Sequence, residues 1–322
     1  MLRFFNLEPI EDRRMHYRHL HYFVKIVEAG SFSQAARTIH VAQPALSQQI
    51  GELEASLGVA LLQRSARGVR PTLAGQRLYE EASSILRKLE NLPGVVRSSS
   101  GDVEGQVSVG MPASLSTTLV GLVIEECQAK YPRVTLRFID GDSEFLRDEV
   151  EKSRLDLALA YEDEFFPTVL RQPLFRQNHY LIGSKRSART AGPTISLNEV
   201  AKIPLVLPGR LNARRVVIDR TFSEAGLSLN LAAEAVTVSS ELSAVRSGAA
   251  STILNLGDMS GFSLGDFAEP VLIKPEFYLT CCIIWSSEFP LTLAAEGVKK
   301  LLVDFLKAHI KRTERPGAVW LE

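Results

Sequence analysis

The chain has 322 residues, 45% of them hydrophobic and 23% charged, with 37 basic residues balanced by 37 acidic ones. That is enough chain for two or three domains with sizeable cores. No run of eighteen apolar residues occurs, so no membrane-spanning helix is expected. The opening MLRFFNLEPIEDRR is acidic where a secretory signal needs an apolar core and a small-residue cleavage site. Three cysteines, Cys127 and the adjacent Cys281 and Cys282, suit a reduced cytoplasmic protein rather than a disulfide framework. No His/Cys cluster has metal-ligand spacing, and no metal or other cofactor is expected. The neutral total conceals an asymmetry. Residues 1–98 hold 13 Lys+Arg against 9 Asp+Glu, and the remainder holds 24 against 28. A basic leading segment and an acidic remainder leave room for a polyanionic partner at the N-terminal end.

In chain order, residues 1–14 form an extension without an assignable role, and residues 15–75 are helix-rich. Leu20, Phe23, Val24 and Val27 recur at helical spacing. Gly30 suits the left-handed position that ends such a helix. Ser31 and Ser33 each suit the N-cap of the short helix that follows. A turn at Val41-Ala42-Gln43 leads to Pro44, expected at the first position of a third helix. On that helix Leu46, Ile50, Leu53 and Leu57 make a core stripe, while Gln43, Ser47 and Gln48 fall off it. A helix, a turn and a second helix with a polar leading end form a helix-turn-helix, whose recognition helix offers its first residues to the major groove. Glutamine pairs bidentately with adenine, and serine contacts bases or phosphates. By itself this stretch fits an ordinary solvated face equally well.

The stretch FVKIVEAGSFSQAARTIHVAQPALSQQIGELEASLGVALLQRSARGVRPTLAG is more specific. Its AGSF, AA, QPALS, LE..LG and RGV.PT.AG elements resemble the winged helix-turn-helix of LysR-type transcriptional regulators across about 55 residues. Further on, GQVSVG, YPRV, LDLALAYE and LVLP are most similar to the nitrogen assimilation control branch of that family. The resemblance implies DNA contacts at Ser33, Gln43, Pro44, Ser47 and Gln48. It also implies a wing arginine at Arg67, with Arg64 and Arg70 near the backbone. An arginine there suits a narrow A·T-rich minor groove, which concentrates negative potential. Gly51 and Glu52 depart from the basic residues that many relatives carry, which predicts lower non-specific affinity.

Residues 72–97 are expected to form one long helix capped by Thr72. Leu78, Ala82, Ile85, Leu89 and Leu92 step by 4, 3, 4 and 3, a narrow heptad seam suited to pairing with another helix. The resemblance makes this a dimerising linker. Pro93-Gly94 should end or kink it. Residues 98–105, SSSGDVEG, have the composition of a hinge.

Beyond the hinge, VSVG, VTLRFID, LDLALAY, HYLIG, PLVL, AEAVTV and STIL alternate with helical patterns, the mark of parallel sheets with covering helices. The resemblance implies a periplasmic-binding-protein-like domain of two α/β subdomains. Subdomain I comprises residues 106–175 and 272–322, and subdomain II residues 176–271. Four strand-to-helix junctions, MPASLST, DGDS, PGRLN and SSE, carry small hydroxyl residues or a loop where a ligand would sit. Following the family pattern, Ser114, Ser116, Ser143, Pro208 and Arg210 are the effector candidates, and Arg210 suits a carboxylate.

No catalytic set is evident. GMPAS is not a nucleophile elbow, and the acid pairs Asp140/Asp142 and Glu162/Asp163 fall in loops. An enzyme and a solute-binding transport component are therefore set aside. The expected protein is a cytoplasmic homodimer or homotetramer without membrane attachment. Its expected partners are inverted-repeat duplex DNA, RNA polymerase and a small, anionic effector.

Overall fold

A computed structural model describes residues 15–65, 68–97, 103–161, 167–185, 192–259, 264–313 and 317–321. Residues 1–14 and 98–102, Arg67, Glu162 and Asp163 lie outside the described residues. The chain separates into two compact units, residues 1–92 and 93–322.

In the first unit, α1 (Tyr17–Ala29), α2 (Phe32–Thr38) and α3 (Gln43–Leu57) precede a wing of two antiparallel strands, β1 (Leu62–Ser65) and β2 (Gly68–Pro71). Phe23, Ile26, Ala35, Leu46, Ile50 and Leu53 are fully buried together. Gly30 ends α1 at φ 62°, and its carbonyl accepts the N–H of Val69 at 2.8 Å. A Cβ on Gly68 would stand 2.7 Å from that same oxygen. Backbone therefore lies directly on backbone where the wing meets the α1–α2 turn. Glu54 fixes the other end of the wing by accepting the N–H groups of Leu61 at 2.7 Å and Leu62 at 3.0 Å. Ser31, not Ser33, caps α2, accepting from the Gln34 N–H, and Ser33 falls within the helix. Pro44 occupies the second helical position, because Gln43 already has helical backbone. Neither position loses anything to the missing proline N–H.

Helix α4 (Leu73–Arg97) begins on Thr72, whose hydroxyl accepts the N–H of Gly75 at 3.0 Å. It continues through Pro93 and Gly94, so of the two expected outcomes, a stop or a kink, the stop does not occur. Proline forfeits only the bond to the carbonyl four residues back. Here that is the carbonyl of Leu89, and the loss of one such bond does not terminate the helix. The heptad seam also divides. Ala82 is fully buried and Leu78 partly buried in the core of the first unit, so Ala82 has no surface left for a partner. Ile85, Leu89 and Leu92 remain 43%, 45% and 54% exposed, one i, i+4, i+7 stripe.

The second unit has two lobes. The first carries a six-stranded sheet in the order β14-β6-β13-β5-β3-β4. Its strands are β3 (Gly105–Met111), β4 (Val134–Asp140), β5 (Leu157–Tyr161), β6 (Val169–Asn178), β13 (Tyr278–Ser286) and β14 (Ala318–Trp320). Helices α5 (Ala113–Lys130), α6 (Ser143–Glu151) and α10 (Leu293–Thr313) also belong to this lobe. The second lobe holds β7 (Tyr180–Ile182), β8 (Thr194–Ser196), β9 (Leu205–Leu207), β10 (Leu231–Glu234), β11 (Thr252–Leu254) and β12 (Val271–Lys274). Its helices are α7 (Leu197–Val200), α8 (Ala213–Glu224) and α9 (Val238–Ser247). The four-stranded order is β11-β7-β12-β8, with β9 and β10 parallel beside it through a bridge from Leu205 to Ser251.

Three expectations are corrected. The sheets are mixed rather than parallel, since β13 runs antiparallel to both β5 and β6. A strand arriving from the other lobe enters at the cleft end and so runs against its neighbours. The crossings fall at His179 and at Pro275–Phe277 instead of near residues 175 and 271. Strand β6 continues to Asn178, and β12 pairs within the second lobe's sheet. Gly105, placed in the hinge, begins β3.

Candidate nucleic-acid interface and effector cleft

The stripe that buries Leu46, Ile50 and Leu53 turns the first turn of α3 outward. Gln43, Pro44 and Gln48 are exposed and Ser47 is half-buried. Two contacts hold this surface in shape. Arg64 on β1 donates to the Ser47 hydroxyl at 3.1 Å and stacks its guanidinium 4.2 Å from the centre of the Phe32 ring. Wing, recognition helix and α2 are thereby joined by one cation. Glu52 accepts from the amide nitrogens of Gln48 at 2.9 Å and Gln49 at 2.7 Å. An ionised carboxylate only accepts, so Gln48 must turn its nitrogen toward Glu52 and keep its carbonyl oxygen available. Glu52, which reads from sequence as a phosphate-repelling departure, is thus also a brace for a candidate reader. Arg70 is exposed on β2 opposite Gln63. Ser33 is exposed on α2.

In the second unit a cleft of about 720 Å³ lies between the lobes, a size usual for small-molecule sites. Four helix N-termini converge on it: α5 with Ser114 and Thr117, α6 with Asp142 and Ser143, α8 with Asn212 and Arg214, and α9 with Val238 and Ser239. Each presents backbone N–H groups unpaired within its helix and the positive end of a dipole. Asp142, Asn212 and Thr237 cap three of them through their side chains. Of the sequence candidates, Ser114, Ser143, Pro208 and Arg210 line the cleft. Ser116 does not. Two residues beyond Ser114 is about 200° around the helix, so the cleft-facing partner is Thr117, three residues on. Ser143 is already occupied, its hydroxyl accepting the N–H of Tyr161 at 2.9 Å.

The inner wall is polar and buried. Arg214 donates to the carbonyl of Ile253 at 3.0 Å and to Glu241, which also accepts from Thr252 at 2.7 Å. Arg215 is spent on Asp219, Glu234 and the carbonyl of Pro208. Burial pushes the carboxyl groups of Glu241 and Asp258 above their ordinary values, against the pull of Arg214. The Ser114 hydroxyl faces both Tyr161 and Asp258 with one hydrogen to give to either, and Tyr161 donates its own to Gln177 at 3.3 Å. His179, at the first crossing, stacks on Phe277 with ring centres 4.4 Å apart. Its burial holds the imidazole pKa down at about 4. Thr117, Tyr161 and Asp258 were not legible as site residues, whereas Arg214 was a weaker candidate from sequence beside Arg210. Asp258 follows β11 within four residues, the same strand-then-turn position that marked the four junctions.

A helix-turn-helix with an exposed polar leading turn, followed by a two-lobed α/β unit with helix N-termini around a cleft, defines a DNA-binding regulator with an effector-binding domain. Residues 17–76 match the family described as "Bacterial regulatory helix-turn-helix protein, lysR family", and residues 100–307 match "LysR substrate binding domain". The nitrogen assimilation regulatory protein of Klebsiella aerogenes is 31% identical over 91% of this chain and 95% of its own. The crystal structure of full-length CbnR with its target DNA is similar at TM-score 0.68 and 24% identity, covering 89% of this chain and 100% of that one. A full-length OxyR variant from Pseudomonas aeruginosa matches at TM-score 0.68 and 22% identity, over 90% and 94%. The chain belongs to the LysR family of transcriptional regulators, which are not enzymes. Among the described residues no helix is long and apolar enough to cross a membrane.

Proposed function

We propose that this regulator reads duplex DNA in the cytoplasm through the first turn of α3. Paired chains joined along α4 would engage an inverted repeat, and a small anionic effector bound between the lobes would set its activity. The observation that carries the DNA reading is the exposure of Gln43, Pro44 and Gln48 on a braced helix end. One reading helix per chain and two-fold pairing give half-sites about 34–36 Å apart, or a multiple. Footprinting on a selected sequence should show two protected half-sites, and a single short footprint from a monomer would exclude the pairing. The similarity to a nitrogen assimilation regulator makes genes responsive to nitrogen supply the first place to map bound sites in cells, RNA polymerase being the expected partner there.

Gln43→Ala should cost about 1–3 kcal/mol on the specific site and relax selectivity at one base pair. Competition binding against random duplex is the measurement. Equal losses on both DNAs would remove Gln43 from direct readout. Arg67 stands with it as the proposed minor-groove contact of the wing, and Ser33, Arg64 and Arg70 as flanking ones.

The stripe of Ile85, Leu89 and Leu92 is the proposed pairing surface, for a dimer or a dimer of dimers. Ile85 is 43% exposed in the single chain, so Ile85→Asp should leave the fold intact. Between paired helices the same carboxylate would be buried without a partner. Sedimentation should show a smaller assembly, with DNA affinity falling alongside it. An unchanged assembly would place the interface elsewhere.

The cleft reading rests on four helix N-termini facing one cavity together with Arg210, an exposed cation on the loop before α8. Ser114, Ser143 and Pro208 line the same space. A carboxylate there would gain backbone N–H groups and a charge-assisted pair without any metal.

A further inference from the structure

The positive rim does not describe the whole cleft. Its floor is acidic and unfinished. Asp258 stands on the short 3-10 turn Leu256–Met259 after β11, is 7% exposed, and lines the cavity. Its Oδ1 is buried without a hydrogen-bond partner. A buried acceptor left open in this way is rare in native proteins. Nothing already in the site completes it. Ser114 provides a hydroxyl and Asn255 a backbone N–H to the carboxyl group without filling Oδ1, and Arg214 is committed to Glu241 and the Ile253 carbonyl. One guanidinium therefore faces two carboxyl groups, and burial raises the pKa of both. Asn255, at the start of the same turn, is fully buried with neither amide atom partnered.

The rim has the opposite character. Arg210 makes no ion pair with the described residues, and the N-termini of α5, α6, α8 and α9 add positive potential. A ligand that is only an anion satisfies the rim and leaves Asp258 facing more negative charge. A ligand with a carboxylate at one end and a donor-rich cation at the other satisfies both.

We propose that the effector is a zwitterion of the small amino acid class. Its carboxylate lies at Arg210 and the helix N-termini, and its ammonium group donates to Oδ1 of Asp258. This rests on the reading of the cleft as the effector site and narrows the ligand from an anion to an amino acid. Bringing an ammonium to Asp258 also balances the surplus carboxyl charge beside Arg214, so ligand and floor stabilise each other's ionised forms.

The test uses the full chain and matched probes that differ by one amino group: glycine with acetate, L-serine with 3-hydroxypropanoate, and L-glutamate with glutarate. Calorimetric titration and thermal shift at pH 7 are read for each pair. At least one amino acid should bind at least about tenfold more tightly than its deamino partner, the worth of one charge-assisted hydrogen bond. Asp258→Asn keeps the shape and removes the charge. It should shrink that preference to less than about twofold, while the free variant melts no lower than the parent, because a buried carboxyl group with an open acceptor has been removed. Arg210→Ala should weaken both members of the pair. Equal binding within every pair overturns the zwitterion and leaves the cleft reading standing. An amino preference that survives Asp258→Asn overturns the role of Asp258. Silence from all six probes overturns the zwitterion and the small-acid effector together.

Discussion

Arg214→Ala is expected to loosen the second lobe by about 3–5 kcal/mol, the usual consequence of stranding one partner of a buried ion pair. Arg214 and Glu241 have side chains only 7% and 0% exposed. The guanidinium joins α8 to α9 through Glu241 and to β11 through the carbonyl of Ile253. Truncation removes the cation, strands a carboxylate beside Thr252, and takes from Asp258 the positive charge that opposes its burial. The chain has two units, so a denaturation curve is compound and amide hydrogen exchange is the better measurement. Peptides from α9 and β11 should exchange about a hundred- to several-thousandfold faster, with the first unit unaffected. Replacing the pair together, as Arg214→Met with Glu241→Leu, should recover most of the loss, since a well-packed apolar pair often matches a buried ion pair. Unchanged protection in Arg214→Ala would show that the pair contributes nothing net to the lobe.

Two glycines of the first unit should respond in opposite senses to the same substitution. A Cβ on Gly75 would lie 2.0 Å from the carbonyl oxygen of Leu61 and 3.2 Å from Cβ of Pro71. Both obstacles are constrained, one being backbone and the other part of a ring. The Leu61 oxygen also accepts the N–H of Thr72 at 2.9 Å, next to the cap of α4. Gly75→Ala must therefore push the first turn of α4 off the wing, at about 3 kcal/mol or more, the upper end of overpacking costs. Gly51 sits exposed on α3, with no atom within 4 Å of where an added methyl would stand. Gly51→Ala should instead stabilise by about 0.5–1 kcal/mol through helix propensity. Amide hydrogen exchange of peptides from the first unit checks the pair. A mild Gly75→Ala would mean that the α4 junction yields more easily than its contacts indicate.

The helix-turn-helix was largely legible because its determinants are local. The left-handed caps at Gly30 and Gly58, the cap at Thr72 and the buried stripe Leu46, Ile50, Leu53 depend on neighbours within a turn or two. Strand β6 was not legible. Its VLRQPLFRQN mixes charge and proline into a buried strand, tolerated because β13 shifts register between Cys281 and Cys282 opposite Pro173. The reading of AEAVTV as one strand also failed in part. The strand ends at Glu234, and Thr237 serves as the cap of α9.

In the cleft the division is the same. Four strand-to-helix junctions could be picked out because hydroxyl and loop residues after an apolar run are a local signal, and Ser114, Ser143, Pro208 and Arg210 came with them. Which face of α5 looks inward, and so why Thr117 rather than Ser116 lines the cavity, depends on how the helix docks against its sheet. The same holds for Ala82, which fits a heptad seam by spacing and is consumed by its own domain's core. By itself the sequence determined the family, the order of the domains, the recognition helix and most cleft-facing junctions, because each is written in contacts between near neighbours. Only the tertiary structure decided where the chain crosses between lobes, which half of the seam stays open, that Glu52 braces Gln48, and that Asp258 stands on the cleft floor with an open acceptor. Each of these depends on packing between residues whose separation or orientation the local pattern does not encode.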